Sequence, residues 1–455
     1  MKFLFGTDGM RGAAGQFPLD AATVTTVGFS LARHLGTELG RYPVIVVGRD
    51  TRESGVWLEQ ALVEGATNSG AQCQSAGVIT TPGVAFLTRT LPADAGVVIS
   101  ASHNPYEDNG IKIFAPSGRK LDDSTERLIE ADIFSSKGMP PIQAAQLLTV
   151  DNSAHLQERY LGFLARDIGG QLSLTGLLLV IDCANGAASS LAPELFQLLG
   201  ASVVAINNQP DGKNINQDSG SLHLDSLKQK VLSEGAHLGV AFDGDADRVL
   251  FIDDEGNPID GDATLWVLAN YFRDRGELSD MLVVATVMSN VGLEIALRSR
   301  GMRLVRTDVG DKYVLDELLR LKASLGGEQS GHIIIPKLSL AGDGMITTLA
   351  LLGALQESGK SLKELTDGFE RYPQVLVNVT VREKRPLSEL EEVQKLVGEV
   401  ERALGDGGRL LLRYSGTEPL ARVMIEGEDQ TEIEEYAERL AGTIRQVLGA
   451  SESRG

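Results

Sequence analysis

The sequence predicts an α/β protein, with three related α/β domains of mixed, largely parallel sheets and a C-terminal α+β domain, set around a central cleft. Two observations carry this. The order apolar strand, loop, glycine-terminated helix, strand occurs three times, each time followed by another short apolar run. After Tyr372-Pro373 the texture changes to alternation, with Val375, Val377, Val379 and Val381 on one face. A chain of 455 residues is also too long for one ordinary core. The expected domains are 1–150, 151–253, 254–370 and 371–455.

Gly6-Thr7-Asp8-Gly9-Met10-Arg11-Gly12 opens the chain as a glycine-rich loop, where backbone can approach a ligand and Arg11 can fork onto a phosphate. A helix is predicted over 23–35 and a strand over 44–47, ending in Gly48-Arg49-Asp50. Ser54 is read as the cap of a helix with Trp57, Leu58, Ala61 and Leu62 on one face; Gly70 ends it before strand 72–76. In the second copy, strand 178–181 leads through Asn185-Gly186 to helix 189–199, Gly200 and strand 202–206. In the third, strand 282–286 leads through Asn290 to helix 292–299, Gly301 and strand 303–306. The closing runs are 97–99, 238–242 and the weaker 323–325. They deliver three comparable loops, 100–104, 243–248 and 327–332, which face one another if the domains share a cleft. In the last domain, strand 375–381 precedes a charged helix from Ser388 to about Leu404, stopped by Gly405-Asp406-Gly407-Gly408. Strands 410–413 and 422–426, an antiparallel sheet and helix 431–448 follow, and the tail 451–455 is expected to fray.

Lys and Arg total 42 against 62 Asp and Glu, a formal charge of −20. So acidic a chain argues against nucleic acid or an anionic membrane as a partner, although a phosphorylated substrate needs only a local basic pocket. Cys73 and Cys183 stand far apart and not in a metal-binding spacing; Cys183 reads as a buried small hydrophobe. A reducing cytoplasm fits. Gly6 and Asp8 come too early for a secretion signal, and the longest apolar helix candidate, 345–355, is too short for a bilayer. A soluble protein is expected.

The run 97–99 empties into Ser100-Ala101-Ser102-His103-Asn104-Pro105, and Pro105 keeps Asn104 out of a helix. Ser102 therefore stands on a loop at a strand's C-terminal end, where open α/β sheets bind ligands. Read alone, Ser102-His103 is either a nucleophile with its base or a turn-forming pair. Asp243-Gly244-Asp245-Ala246-Asp247-Arg248 sets three carboxylates at alternate positions, which repel one another unless a cation sits between them; oxygen-only ligands suit Mg²⁺. A solvated acidic turn is the alternative. An EF-hand loop is set aside because Arg248 stands where that loop needs glycine. Arg413-Tyr414-Ser415-Gly416-Thr417-Glu418-Pro419, with Arg422, makes either a phosphate cradle or an ordinary hairpin loop. Gly327-Glu328-Gln329-Ser330-Gly331-His332 offers groups for sugar hydroxyls or an amine, though His332 also suits a buried structural role. Lys112 alternates with Ile111 and Ile113. It is a proton-transfer candidate if its pKa is lowered, and otherwise a solvated outward residue.

Together these motifs resemble the α-D-phosphohexomutase superfamily across essentially the whole chain. Its opening loop is similar to 6–12, its phosphoserine loop to 100–105, its metal loop to 243–248, its sugar loop to 327–332 and its phosphate loop to 413–419. Gln329, beside the Gly-Thr-Asp-Gly opening, resembles the branch acting on glucosamine phosphates; mannose- and glucose-specific relatives usually carry methionine there. The resemblance implies an isomerase interconverting glucosamine 6-phosphate and glucosamine 1-phosphate, with phosphoserine-loop, metal-binding, sugar-binding and phosphate-binding domains in that order. Ser102 then carries a phosphoryl group that completes one Mg²⁺ site with Asp243, Asp245 and Asp247. Arg248 and Arg11 stabilise the transferring group. Glu328 and Ser330 grip the sugar, while Arg413, Ser415, Gly416, Thr417 and Arg422 hold the phosphate that is not reacting. Lys112 and His332 are the implied acid and base, with His103 a further candidate. A sugar bisphosphate is the implied intermediate and primer, a hexosamine monophosphate the substrate, and a homodimer the assembly. Rival readings are a glucose or mannose phosphate mutase, a sugar-phosphate phosphatase and a non-catalytic sensor. Ala246 replaces a glycine common in relatives, which is tolerated if φ there is negative.

Overall fold

The computed structural model describes residues 4–6, 8–135, 149–415 and 418–449. The tail 451–455 therefore lies outside the described residues. The chain divides into two compact units, Met1–Met288 with Val305–Asp367, and Ser289–Leu304 with Gly368–Gly455.

In the first unit, the first sheet contains β1 (Phe5–Gly6), β2 (Gly9–Ala13), β3 (Val44–Arg49), β4 (Gln72–Val78), β5 (Ala95–Ile99), β6 (Asp108–Phe114) and β7 (Thr149–Asp151). Their order is β1-β2-β6-β5-β3-β4-β7. The β5-β3-β4-β7 pairs are parallel and the β1-β2-β6-β5 pairs antiparallel, so the sheet is mixed, as expected, with a parallel and an antiparallel half. Every residue of β5 is buried. Helices α1 (Ala21–Leu39), α2 (Ser54–Asn68), α3 (Thr81–Thr90), α4 (Asp123–Ser135) and α5 (Ser153–Gly162) accompany the sheet. Val24, Val27 and Leu31 of α1 pack with Leu58 and Leu62 of α2 against Ile45, Val47 and Val97. Asp20 caps α1 by accepting from the Thr23 N–H. Ser54 is not a cap: it is the first helical residue, and its Oγ accepts from Asn109 Nδ2 at 2.9 Å. The cap position falls to Glu53, whose side chain makes no capping bond.

The second sheet holds β8 (Leu178–Asp182), β9 (Ser202–Ile206), β10 (Leu238–Phe242), β11 (Val249–Ile252) and β12 (Pro258–Ile259) in the order β12-β11-β10-β8-β9. It carries α6 (Leu191–Leu198) and α7 (Asp225–Glu234). After α8 (Gly261–Asp274) come β13 (Leu282–Thr286), α9 (Val291–Ser299), β14 (Arg303–Thr307), α10 (Asp311–Leu321), β15 (Gly326–Gly327), β16 (Ile333–Ile334), α11 (Gly344–Ser358) and α12 (Leu362–Thr366). The sheet order there is β14-β13-β15-β16. The expected strand 323–325 lies one step later, because pairing with β13 begins at Gly326, opposite Val284. Two glycines leave no apolar trace of that strand.

The three loops of interest have one thing in common. Each joins a parallel strand to a returning antiparallel partner: β5 to β6, β10 to β11, and β15 to β16. Connections this short force antiparallel pairing, and this is why the sheets are mixed.

The second unit contains α9 and a three-stranded antiparallel sheet, β17 (Gln374–Thr380), β19 (Leu420–Glu426) and β18 (Arg409–Tyr414), in that order. Its helices α13 (Glu391–Leu404) and α14 (Gln430–Leu448) supply Val393, Val400, Ile433, Leu440 and Ile444 to a core with Val379, Val423 and Ile425. Ser388 lies in a short turn before α13 and does not begin it. Among the described residues, no helix is long and apolar enough to cross a membrane.

Candidate active site

Ser102 follows β5 and is buried, with φ of 54°, a left-handed conformation that a serine adopts only under constraint. The constraint is visible. The Ser102 carbonyl accepts from Arg52 Nη2 at 3.2 Å and Asn216 Nδ2 at 2.9 Å, and the same two donors reach the Asn104 carbonyl at 2.5 and 3.1 Å. Asp50 pairs with Arg52 and accepts from Ser100 Oγ at 2.6 Å; Ser100 Oγ in turn accepts from the Ser102 N–H at 2.9 Å. The Ser102 hydroxyl donates to Asp243 Oδ2 at 2.5 Å, while His103 Nδ1 is 3.4 Å away. The hydroxyl is aimed at the acidic loop, not at a base beside it. Close approach of the two loops requires Gly244, where a Cβ would lie 2.5 Å from the Ser102 carbonyl oxygen.

Asp243, Asp245 and Asp247 are buried, and one carboxylate oxygen from each lies within 4.8 Å of the others. Asp245 Oδ2 accepts from Thr81 Oγ1 and from Lys112 Nζ at 2.9 Å. Asp247 Oδ2 is 3.4 Å from Lys112 Nζ and 3.7 Å from His332 Nδ1. Asp245 Oδ1 and Asp247 Oδ1 are buried with no hydrogen-bond donor. Buried carboxylate oxygens left without donors are costly, and a hard divalent cation resolves that cost. The residues therefore fit Mg²⁺. Burial, with the charges of Asp247 and Asp245, pushes the Asp243 carboxyl well up in the metal-free protein. Ala246 sits at φ of 55°, so the condition for its easy tolerance, a negative φ, is not met. The loop carries that strain because the Ala246 carbonyl is fixed by the Gly344 N–H at 3.0 Å and its N–H by the Asp243 carbonyl at 3.0 Å.

Lys112 is 1% exposed and lies 2.9 Å from Asp245 and 3.4 Å from both Asp247 and Asp8. The solvated outward reading fails. Burial favours a neutral amine, but the carboxylates of Asp245, Asp8 and Asp247 outweigh it and raise the pKa, opposite to the lowering that a general base requires. Burial likewise opposes charge on His332, yet Asp247, Asp311 and Glu328 lift it to about 9. Both groups hold protons at neutral pH in the metal-free protein. His103 goes the other way, lowered to about 4 by burial and by Arg248 and Arg11. Its Nδ1 accepts from Arg248 Nη1 at 2.9 Å. Arg11 pairs with Asp8.

Glu328 accepts from the Gly310 N–H at 3.1 Å and from Ser330 Oγ at 3.2 Å, and Ser330 is exposed. Gln329 turns away: its amide donates to Asp262 Oδ2 of α8 at 3.1 Å. In the second unit, Arg413 and Arg422 are direct cross-strand partners on β18 and β19. Like charges so placed repel, an arrangement suited to an anion between them. Arg422 also reaches Glu418 at 3.2 Å, and Glu418 N–H donates to Ser415 Oγ at 3.3 Å. Lys384 Nζ donates to the Ser415 carbonyl at 2.5 Å. Gly416 and Thr417 lie outside the described residues.

Four domain descriptions of phosphoglucomutase/phosphomannomutase match along the chain: α/β/α domain I over residues 2–138, domain II over 158–256, domain III over 260–372 and the C-terminal domain over 376–443. The chain belongs to the phosphoglucomutase/phosphomannomutase family. The superfamily resemblance of the motifs and the four-domain α/β expectation are both borne out, and the protein is an enzyme of the phosphohexomutase class. Among family members, the phosphoglucosamine mutase of Solibacter usitatus (strain Ellin6076) is 50% identical over 448 residues, covering 98% of this chain and 99% of the relative. That of Rhodococcus jostii (strain RHA1) is 49% identical, covering 98% and 100%. The fold is shared with a phosphoglucomutase/phosphomannomutase family protein from Burkholderia thailandensis at a TM-score of 0.80 and 23% identity, over 97% of both chains.

Sequence reasoning missed Asp50, Arg52, Thr81 and Asn216, which hold the two loops rather than form them. Asp50 and Arg52 had a signal, since they directly follow a buried strand on the same sheet as β5. Thr81 had none: its partner Asp245 lies 164 residues away.

Proposed function

We propose that the protein is a phosphoglucosamine mutase, interconverting glucosamine 6-phosphate and glucosamine 1-phosphate through a phosphorylated Ser102 and a sugar bisphosphate intermediate. The observation that carries the reading is Ser102 Oγ at 2.5 Å from Asp243, within an aspartate set whose remaining buried oxygens lack donors. The names of relatives sharing about half of the sequence support the amino-sugar substrate.

Asp243, Asp245 and Asp247, with Ser102, would hold Mg²⁺, which supplies charge neutralisation on a transferring phosphoryl group. Arg248 and Arg11 add fixed positive charge at the same place. Ser102 gives its phosphoryl group to one hydroxyl of the hexosamine monophosphate and later takes back the phosphoryl group from the other end. Lys112 and His332, both proton-holding, serve as acids toward the leaving oxygen, and the proton released by the attacking hydroxyl restores the donor, so each transfer leaves both groups charged as they began. His103, neutral and accepting from Arg248, orients that arginine. Glu328 and Ser330 hold sugar hydroxyls, and Arg413, Ser415, Gly416, Thr417 and Arg422 hold the second phosphate.

The test is incubation with glucosamine 6-phosphate, Mg²⁺ and a trace of glucosamine 1,6-bisphosphate, followed by ³¹P NMR and intact mass. Conversion to the 1-phosphate with a phosphorylated chain is expected. Release of inorganic phosphate faster than isomerisation would make the protein a phosphatase, and equal or better turnover of glucose or mannose phosphates would overturn the amino-sugar assignment.

A further inference from the structure

We propose that Lys120 and Asp311 are positioning residues, closing a ring of alternating acidic and basic side chains that fixes Lys112 and His332 against the aspartate loop. The proposal rests on the mutase reading above. The ring can be followed group by group. Asp247 Oδ2 is 3.4 Å from Lys112 Nζ, and Lys112 Nζ is 3.4 Å from Asp8 Oδ2. Asp8 Oδ1 is 2.7 Å from Lys120 Nζ, which is 2.7 Å from Asp311 Oδ2. Asp311 Oδ2 is 3.9 Å from His332 Nε2, and His332 Nδ1 is 3.7 Å from Asp247 Oδ2, where the ring began.

The members come from separate parts of the first unit. Asp8 belongs to the opening loop, Lys112 to β6, Lys120 to the segment after it, Asp311 to the start of α10, and His332 to the turn between β15 and β16. Lys120 and Asp311 are 191 residues apart, so their bond fastens two distant segments. Ring neighbours are of opposite character, so each is drawn toward both partners and held between them. Removing Lys120 leaves Asp8 to Arg11 and Lys112 alone, and it frees Asp311 beside His332. Asp8 beside Lys112 and Asp311 beside His332 then each lose the ammonium that holds them in place.

Neither Lys120 nor Asp311 is an ion-pair or hydrogen-bond partner of an aspartate of the metal loop, of Arg248 or of Ser102 among the described residues. They act through Asp8 and His332. Asp8, Lys112, Lys120, Asp247, Asp311 and His332 also line one cavity of about 580 Å³. The ring thus borders open space rather than packed core, and small changes in its members can shift catalytic groups without collapsing the fold. A displacement of about 1 Å in such groups costs on the order of 10²-fold in rate.

The experiment compares wild type, K120M, K120R, D311N and K120M/D311N in the Mg²⁺-loaded enzyme, with K230M as a control for loss of an exposed lysine, whose partner is Glu234 at 2.6 Å. Expected are a fall in kcat of about ten- to a hundredfold in K120M and D311N with KM moved less than about threefold, and Tm values close to that of K230M. K120R recovers most of kcat, and the double variant is no worse than either single one. Wild-type kcat in D311N, a loss confined to KM, or losses that multiply in the double variant would overturn the proposal. A spectroscopic arm is independent of turnover: with six histidines, ¹⁵N-histidine labelling resolves His332, assigned with H332Q. Its ring signals shift in D311N and K120M if the ring positions it, and unmoved signals reject the ring. A wild type inactive on hexosamine phosphates would count against the proposed function, while the His332 signals still decide the ring.

Discussion

Ser102 Oγ donates to Asp243 Oδ2 at 2.5 Å, joining two loops 141 positions apart. The bond places the Ser102 hydroxyl against a carboxylate that burial has made reluctant to ionise. S102A is expected to lower mutase turnover by at least about 10³-fold, measured by coupled assay, while leaving Tm within a few degrees. Retained turnover in S102A would remove Ser102 from the proposed mechanism.

Thr81 grips Asp245 twice, with its hydroxyl on Oδ2 and its N–H on the Asp245 carbonyl at 3.0 Å. T81V keeps the N–H and the side-chain shape but loses the hydroxyl. Outer hydrogen bonds to ligating carboxylates typically govern affinity by about 10- to 100-fold. Calorimetry should therefore show Mg²⁺ binding to T81V weakened by about tenfold, and unchanged affinity would reduce Thr81 to a helix-start residue.

How much of this was legible in the sequence follows from the range of each interaction. The apolar runs before Ser102 and Asp243 are local signals, and both became buried strands at the predicted places. The direction of Lys112 was not local. Alternation placed it opposite Ile111 and Ile113, but only the fold brings Asp8, Asp245 and Asp247 to that face. The same holds for Ala246: its φ of 55° depends on a bond from Gly344 that no spacing reveals. Gly326 and Gly327 form a strand without any apolar side chain to announce it.

Ala246 offers a stability test. A left-handed alanine is strained relative to glycine, whose missing Cβ removes the clash, although glycine adds freedom to the unfolded chain. The first effect is the larger at a positive φ. A246G should gain on the order of 0.5–1 kcal/mol in urea unfolding, with an unchanged denaturant slope. A loss of stability would mean that the methyl group contributes packing that outweighs the strain.

The resemblance makes Gln329 a marker of substrate preference, but its side chain points to Asp262 rather than toward Glu328 and Ser330. The Gln329 carbonyl also accepts from the Gly261 N–H at 2.9 Å, so the loop is fastened to the start of α8 at two points. An amide in this place sets loop position. Q329M should therefore depress kcat/KM for glucosamine, glucose and mannose phosphates together, with their ratios changing less than about threefold. D262N should lower all three in the same way, because it weakens the same bond. A clean switch of preference in Q329M, with full activity on the new sugar, would show direct contact instead.

The buried pair of Tyr160 and Asp343, beside the Gly344 N–H that holds the Ala246 carbonyl, gives a pH test outside the metal-ligand set. Tyr160 donates to Asp343 Oδ2 at 2.7 Å, and Asp343 caps α11 by accepting from the Met345 and Ile346 N–H groups. Burial raises the Asp343 carboxyl to about 6, against the lowering effect of Tyr160 and the two amides. A carboxyl raised on folding stabilises the protein fully below its unfolded pKa, and that contribution is lost as pH rises through 6. Between pH 4 and pH 7 the loss is on the order of 2 kcal/mol. D343N retains a capping oxygen and an acceptor for Tyr160 but has no charge to bury. Its unfolding free energy, followed by urea titration across that range, should therefore fall less steeply with pH than that of the wild type. Identical slopes in the two proteins would assign the pH dependence to other carboxyls.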